Sequence, residues 1–496
     1  MSAPRLLLAP LAALLVAGCN LAPEYTRPST PSAHPAAWKE LTPADFASTD
    51  GWKQAEPRDG VIRGNWWEML GDPLLDELER QVDVANQTLA QAYATHRAAE
   101  AVVAQSRSQL FPTVAVSPSV TRSGSGSGSS HSSTIVGATG SQVVGGGGGT
   151  ATTQYQVPLE ASWELDLWGS IRNTIAASGD EAQATAADLE NTRLSLHGQL
   201  AVLYFQLRGQ DAQKQLLDDT VVAFRKMLEL TKVKHEYGTA SDFDVAQAQT
   251  QLEQTIAQDT DLGISRSQFE HAIAVLVGKA ASSFSIPVSP LRSNPPAVPL
   301  GIPSQLLERR PDIAAAERRV AEFNAQIGVA KAAYFPTVTL SGEFGFASTA
   351  LSSLFTLPSR IWAFGASLAQ TLFDRGKRQA QVEQALANYE FQVAGYRQTV
   401  LTAFQQVEDN LAALRILSQE RRQQEDAVAS AQKALALEMD RYRLGVDPYL
   451  NVITAQTILL SNQRTALTLR MEQMTATVQL IEALGGGWDA SRVASR

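Results

Sequence analysis

The sequence predicts an α+β membrane protein in which long β-strands alternate with very long helices. Three observations support this prediction. Some segments of ten or more residues alternate strictly between apolar and polar side chains, other segments repeat an apolar residue every seven positions, and both patterns occur twice within the 496 residues. A chain that repeats itself is interpreted one repeat at a time.

The first segment has the features of a secretion signal. Residues 6–16 form the only long apolar run, which is too short to span a bilayer as a helix. The run ends in Val16-Ala17-Gly18-Cys19, which resembles the lipobox of bacterial lipoproteins. We therefore expect residues 1–18 to be a signal peptide and Cys19 to carry the acyl chains, such as palmitate, of a lipid anchor. The alternative is an ordinary secreted protein in which Cys19, the only cysteine, has no such role.

The body of the chain contains two copies of one unit. Phe111-Pro112-Thr113-Val114 recurs 224 residues later, and the glycines at 169, 238 and 278 recur 207 residues later. The low-complexity tract between 123 and 150 accounts for the difference and is expected to be a long hairpin loop. The expected divisions are a signal peptide (1–18), an extended N-terminal segment (19–71), a first repeat (72–278), a Pro-rich linker (279–303), a second repeat (304–485) and a tail (486–496).

Each repeat is expected to begin with a helix that leads into two strands. In the first repeat Asp72 suits a helix N-cap and Pro73 the first helical position, and the helix is predicted to run to about residue 110. In the strand that follows the loop, Tyr155, Val157 and Leu159 share one face, and polar residues alternate with them. Strand length, alternation and the long loop favour a transmembrane barrel, whereas a soluble sandwich with shorter strands is the alternative.

The strands are followed by helices with a seven-residue apolar repeat. Leu189, Leu196 and Leu203 carry the repeat in the first copy, and Val393, Val400 and Val407 carry it in the second. The 69 residues from Gly169 to Tyr237 would form a helix about 100 Å long. Such a helix is too polar for lipid and is expected to project away from the membrane; a plain cytoplasmic coiled coil is the alternative.

Each long helix is predicted to turn back on itself at a glycine. Gly238 and Gly445 suit helix C-caps, so the hairpin tips are expected at 237–241 and 443–449. Ser241 is the predicted N-cap of the returning helix in the first copy, and Pro448 occupies the corresponding place in the second. Four strands per chain cannot close a barrel, so the chain must associate through its strands.

Composition and motifs exclude other classes of function. The formal net charge of −9 argues against a nucleic-acid partner. The six histidines include no pair at metal-ligand spacing, and the motifs of serine hydrolases, zinc proteases and nucleotide-binding loops are absent from the sequence. We therefore expect neither enzymatic activity nor a cofactor.

Several motifs together resemble one known family. They are the lipobox, Trp66-Trp67 with Gly71-Asp72-Pro73, the paired Phe-Pro-Thr-Val steps, Asp166-Leu167-Trp168-Gly169, Leu372-Phe373-Asp374-Arg375-Gly376 and the two tips. In combination they resemble the outer membrane factor family, and within it the NodT-type lipoprotein branch that serves resistance-nodulation-division (RND) efflux pumps. The resemblance covers nearly the whole mature chain.

This resemblance implies a homotrimer whose four strands per chain form a twelve-stranded outer-membrane β-barrel, continuous with a long helical barrel in the periplasm. The N-terminal segment, linker and tail would form an equatorial belt. Such a trimer is the exit duct of a tripartite efflux pump and receives small molecules from an inner-membrane RND-type transporter through a periplasmic adaptor. The protein is expected in the cell outer membrane, anchored by lipid and inserted by its barrel.

The resemblance also implies roles for individual residues. Adaptor-contact positions of the family fall on Tyr237, Gly238, Thr239 and Ala240 of the first tip and on Arg443, Leu444, Gly445 and Val446 of the second. A closed-state link between an Asp and a Tyr falls on Asp244 and Tyr442.

The remaining gate positions match the family less closely. An Arg that takes part in the closed-state link is replaced here by Asp447. Leu450 matches an apolar constriction, and Asn451 and Thr454 stand where members often place aspartates. Two alternative functions stay open: the outer-membrane duct of a type I protein secretion system, and a structural coiled-coil lipoprotein, which predicts no strands.

Overall fold

The computed structural model describes residues 20–29, 38–40, 53–54, 65–124, 134–137, 140–143, 151–291, 295–296, 299–300 and 309–486. Only the backbone is described at 53–54, 134–137, 140–143 and 299–300. The expected signal peptide, Cys19 and the tail beyond residue 486 lie outside these ranges.

Long helices account for most of the described chain. They are α1 (Pro73–Ala85), α2 (Gln87–Ser108), α3 (Ser170–Glu236), α4 (Asp242–Leu276), α5 (Pro311–Ala332), α6 (Lys377–Arg443) and α7 (Tyr449–Ala483). The strands are β1 (Lys53–Gln54), β2 (Thr113–Val116), β3 (Ser119–Ser123), β4 (Thr134–Gly137), β5 (Gly140–Val143), β6 (Thr152–Leu165), β7 (Pro299–Leu300), β8 (Thr337–Ser348) and β9 (Arg360–Ala369). No described helix combines the length and apolarity needed to cross a bilayer.

The chain divides into two compact units. Unit 1 comprises Met1–Pro28, Arg97–Gln183 and Glu317–Ala394 and contains the main sheet; unit 2 comprises Ser29–His96, Ala184–Ala316 and Gly395–Arg496 and contains both hairpin tips. Helices α2, α3, α5 and α6 each contribute residues to both units.

The predicted strands of the two repeats join in one antiparallel sheet in unit 1. Strand β6 pairs with β2 and β3 on one side and with β8 on the other, and β8 pairs in turn with β9. Strands β2 and β3 form one interrupted strand, so the sheet has four strands. Because a coiled-coil lipoprotein would have no such sheet, this alternative is wrong.

One face of the sheet carries exposed apolar side chains. The register aligns Leu159 with Phe344 and Phe344 with Trp362 on this face, while Glu160 lies opposite Glu343 on the other. The large exposed residues of the apolar face are Val114, Val116, Val120, Leu159, Trp163, Leu340, Phe344, Trp362, Phe364 and Leu368. An apolar surface of this extent on one side of a sheet is typical of contact with lipid or with another protein.

The first predicted helix of the first repeat is divided in two. Asn86 has extended backbone torsions, so the helix predicted from Pro73 to about residue 110 is divided into α1 and α2. The Asn86 side chain accepts a hydrogen bond from Leu89 N–H and donates one to the carbonyl of Leu276. A side chain that caps a new helix and also binds a distant one stabilises the break, which a local pattern does not reveal.

Each repeat has the same contact between a glycine and a backbone carbonyl, and both contacts lie in unit 2. Gly278, with a φ of 69°, lies against the carbonyl of Ala85, and Gly485, with a φ of 91°, lies against the carbonyl of Arg309. The partners are again 224 and 207 residues apart. The repeat found in the sequence therefore extends to individual backbone contacts.

Candidate functional site

Local backbone hydrogen bonds form the first tip, residues 237–241. Helix α3 ends at Glu236, and Gly238 turns the chain with a φ of 72°. The N–H of Gly238 donates to His235 O at 2.8 Å, and the N–H of Thr239 donates to Lys234 O at 2.8 Å. This pair of bonds is a Schellman closure, which satisfies carbonyls that the helix end leaves unpaired.

The second tip, residues 443–449, closes in the same way. Gly445 has a φ of 76°, and its N–H donates to Tyr442 O at 3.1 Å. The N–H of Val446 donates to Arg441 O at 3.0 Å. Each bond corresponds to one in the first tip, so the same backbone closure occurs in both copies.

The returning helices start differently. Ser241 caps α4 as predicted: its hydroxyl accepts from Asp244 N–H, and the Asp244 carboxylate accepts from Ser241 N–H at 2.9 Å. This reciprocal arrangement is a capping box. Pro448 is the N-cap of α7 and provides no side-chain hydrogen bond. The first tip therefore uses Asp244 locally.

A hydrophobic core stabilises both tips within one chain. It draws on the last turns of α3 and α6 and the first turns of α4 and α7, so it joins both hairpins. Its buried members, called the tip core below, are Phe224, Met227, Leu228, Ala248, Leu252, Tyr442, Tyr449 and Val452.

The predicted adaptor-contact residues lie at the exposed ends of the hairpins. Tyr237 is 80% exposed in the first tip, and Leu444 and Val446 are 79% and 64% exposed in the second. Thr239 donates its hydroxyl to Lys234 O at 2.9 Å. Arg443 pairs with Asp440 at 3.5 Å on the surface. These residues therefore present an accessible, partly apolar surface.

The structure places the predicted partners Asp244 and Tyr442 near each other without a direct bond. The Asp244 carboxylate accepts from the backbone and hydroxyl of Ser241. The Tyr442 hydroxyl lies 3.5 Å from that of Thr231 and is buried in the tip core. Burial raises the pKa of Tyr442, and the nearby negative charge of Asp244 raises it further.

Lys234 makes the closest polar contact with Tyr442. Its ammonium donates to the backbone carbonyl of Tyr442 at 2.6 Å and lies 3.9 Å from the centre of the phenol ring. Lys234 belongs to the last turn of α3, whereas Tyr442 belongs to the last turn of α6. This contact joins the two hairpins of one chain.

Asp447 has a partner within its own hairpin. The Arg441 guanidinium donates two hydrogen bonds to the Asp447 carboxylate. One comes from Nε, and the other comes from Nη2 at 3.1 Å. This hydrogen bonding lowers the pKa of Asp447. The Asp447 carboxylate is therefore paired with the guanidinium of a residue six positions earlier.

The remaining predicted gate residues share one face of α7. Leu450 is 51% exposed, and Asn451 and Thr454 are exposed beside it, while Tyr449 and Val452 turn into the tip core. The Thr454 hydroxyl donates to Leu450 O at 2.9 Å. The described residues contain no group of three side chains suited to a metal ion.

Sequence reasoning missed three side chains at this site. Arg441, Lys234 and Thr231 were not predicted, although all of them contact predicted residues. The one available signal was a basic residue in the last turn of each hairpin's first helix, which a helix dipole also favours.

Comparison with known proteins links this geometry to one family. The sequence profile described as outer membrane efflux protein matches residues 79–279 and 302–486. The probable efflux pump outer membrane protein SepC of Pseudomonas putida is 32% identical over 479 residues, which cover 96% of this chain and 95% of SepC.

Solved structures show the same fold. The outer-membrane channel OprN aligns with a TM-score of 0.83 and 28% identity, covering 95% of this chain and all of the OprN chain. The Neisseria gonorrhoeae outer membrane channel MtrE, solved in its open state, aligns with a TM-score of 0.80 and 26% identity over 95% of this chain and 99% of its own. Both are channels.

Proposed function

Because the chain belongs to the outer membrane efflux protein family, we propose that it is the exit duct of a tripartite efflux pump and acts as a homotrimer. A periplasmic adaptor and an inner-membrane RND-type transporter are the partners in this proposal. The chain is a transport channel and not an enzyme, as expected from its lack of catalytic motifs.

The sheet of unit 1 is the observation that carries the proposal. Its outer strands, β2 with β3 on one side and β9 on the other, each have one neighbour among the described strands. Unpaired strand edges are costly in lipid, so further chains must complete the sheet. Three copies give twelve strands, with the apolar face towards lipid and the Glu160 and Glu343 face towards an aqueous lumen.

Two substitutions on β9 test this orientation. Phe364→Arg places a charge on the apolar face, and Ser367→Arg places the same charge on the opposite face of the same strand. We expect Phe364→Arg to reduce the amount of trimer in purified outer membranes, because a charge at mid-bilayer costs about 2–4 kcal/mol. Ser367→Arg should assemble normally and lower the single-channel conductance in planar bilayers. Equal assembly of both variants would contradict the proposed barrel.

The same proposal includes a lipid anchor at Cys19. Residues just after it follow α5: the Tyr25 hydroxyl donates to Glu317, Pro23 O accepts from Asn324 at 2.8 Å, and Ala22 lies against Gly328. From Tyr25 back to Ala22, the contacts move along α5 from Glu317 to Gly328, which is towards the start of β8. This direction supports an anchor on the membrane side. Cys19→Ser should abolish incorporation of labelled palmitate, whereas incorporation by the variant would contradict acylation at Cys19.

The two tips are the proposed adaptor surface, and the exposed face of α7 with Leu450, Asn451 and Thr454 is the proposed periplasmic constriction. Leu444→Glu should impair efflux in cells without changing the conductance of purified trimers, because it alters only the docking surface. Val222→Glu is the matched control, since Val222 is also an exposed apolar residue (48%) but lies on α3 away from the tip. If both variants support efflux equally, the tips are not the docking surface.

A further inference from the structure

Repeat-equivalent basic residues have different partners at the two tips. Lys234 and Arg441 occupy the same position, 207 residues apart. Arg441 binds Asp447 in its own tip, but the position equivalent to Asp447 in the first tip is Ala240. Since Ala240 offers no carboxylate, Lys234 has no acid in its own loop at that position.

Lys234 instead reaches the other hairpin. Its ammonium contacts two features of Tyr442, the backbone carbonyl at 2.6 Å and the ring face at 3.9 Å from its centre. The carbonyl lies at the C-terminal end of α6, where the helix dipole favours a positive charge. The aromatic face attracts the same cation. Tyr442 is 5% exposed, so water competes little for either contact.

The phenol hydroxyl takes no part in this contact. Among the described residues its hydrogen-bonding neighbour is the Thr231 hydroxyl at 3.5 Å, and Asp244 Oδ2 accepts from the N–H and the hydroxyl of Ser241. We propose that Lys234 is the positioning residue that fastens the two hairpins of each chain in the closed duct, through the ring and carbonyl of Tyr442. This inference rests on the proposed function, because it concerns the gate of that duct.

Substitutions can distinguish the role of the Tyr442 ring from the role of its hydroxyl. Lys234→Met removes the cation and Lys234→Arg keeps it, while Tyr442→Phe removes the hydroxyl and keeps both contacts of Lys234. We expect Lys234→Met to raise the mean conductance of single trimers in planar bilayers severalfold, and the other two variants to match the wild type. Lys232→Met is the matched control, since it removes the same charge from the same helix where Lys232 pairs with Glu229.

A substitution in the first tip tests whether the missing carboxylate is the reason that Lys234 contacts the other hairpin. Ala240→Asp places a carboxylate six positions after Lys234, as Asp447 stands six positions after Arg441. We expect this carboxylate to bind the Lys234 ammonium in place of Tyr442, and so to open the duct as Lys234→Met does. Ala240→Asn has nearly the same size without the charge and should leave the conductance unchanged.

The proposal is overturned if Lys234→Met conducts like the wild type, or if Tyr442→Phe and Asp244→Asn open the duct as much as Lys234→Met. The latter result would assign the closed state to an Asp244 to Tyr442 bond. Failure of the duct itself has a different signature, because then neither the wild type nor any of the variants would carry current. In that event the melting temperatures of Lys234→Met, Tyr442→Leu and the double variant still test the contact: non-additive shifts support it, and additive shifts refute it.

Discussion

The two copies of the repeat have corresponding helices of equal length but different ionisable side chains. The first copy has His197 where the second has Phe404, and each of these residues contacts a tryptophan of the N-terminal segment. Trp67 stacks on His197 with ring centres 4.3 Å apart, and Trp38 meets Phe404 edge-on at 6.0 Å. The aromatic contact is thus common to both copies, while the charge is restricted to the first.

His197 lies within a buried network of charges. Its Nδ1 lies 2.6 Å from the Glu79 carboxylate and its Nε2 lies 3.4 Å from Asp83, and Arg193 also binds Asp83. The Glu79 side chain is fully buried. The two copies differ in the same way at the tips, where Lys234 contacts the other hairpin and Arg441 binds Asp447 of its own hairpin. Glycines and helix ends are thus common to both copies, while the partners of the charged side chains differ between them.

The largest expected loss of stability comes from replacing His197 with the phenylalanine that the second copy has at the equivalent position. His197→Phe leaves the Glu79 carboxylate buried without its cationic partner, and breaking a buried pair costs about 3–5 kcal/mol. We expect a marked fall in the melting temperature of the purified protein at pH 8. The double variant Glu79→Leu with His197→Phe should regain most of the loss, because it removes the buried charge. Equal melting temperatures for the single and double variants would show that the unpaired Glu79 carboxylate is not the cause of the loss.

Alanine substitutions of glycines should destabilise the fold more at Gly278 and Gly485 than at the tips. Gly278→Ala and Gly485→Ala should each cost about 2–4 kcal/mol, the sum of a left-handed backbone and a methyl group that meets a carbonyl. Gly238→Ala and Gly445→Ala should cost about 1–2 kcal/mol each, because nothing lies within 4 Å of the added carbon. Denaturant titration would measure all four. Unequal losses within either pair would show that the copies differ in backbone strain.

The His197 network also predicts a pH dependence that the second copy lacks at this position. Burial raises the pKa of Glu79 to about 7, in spite of the hydrogen bond with His197. Burial alone would lower the pKa of His197, but hydrogen bonds to Asp83 and Glu79 outweigh it and raise the pKa to about 8. Both groups therefore bind protons more tightly in the folded state than in the unfolded state, so folding is favoured at lower pH.

For His197 the stabilisation is fully present below its unfolded pKa of about 6.5 and is lost as the pH rises through 8. The expected loss across this window is about 2 kcal/mol. Melting temperatures recorded between pH 6 and pH 9 should fall for the wild type and change less for the Glu79→Leu, His197→Phe double variant. Parallel curves for the two proteins would exclude this network as the cause.

The smallest expected effect concerns the helix starts at the tips. Ser241→Ala removes the capping box of α4 and should cost about 1 kcal/mol. Pro448→Ala removes no cap hydrogen bond and should change the stability less. Denaturant titration of both variants would measure the difference, and an equal loss would indicate that the capping box contributes little.

Much of the fold was predictable because it depends on local patterns. The alternation in β6, the seven-residue repeat in α3 and the glycines of the tips each reflect a period or a backbone torsion that a short window of sequence reveals. The break at Asn86 was not predictable, since its side chain is held by Leu276 about 190 residues away. The pairing of β6 with β8, which joins the two copies, is equally remote in sequence.

The position at which each hairpin turns could be predicted from the local sequence. Gly238 and Gly445 mark these turns, because a residue in the αL conformation closes the end of a helix through local backbone hydrogen bonds. The partners of the charged residues depend instead on how the helices pack: Lys234 binds Tyr442, Arg441 binds Asp447, and Asp244 binds the Ser241 cap. A long side chain can reach several neighbours, and the packing of the four helix ends around the tip core selects among them.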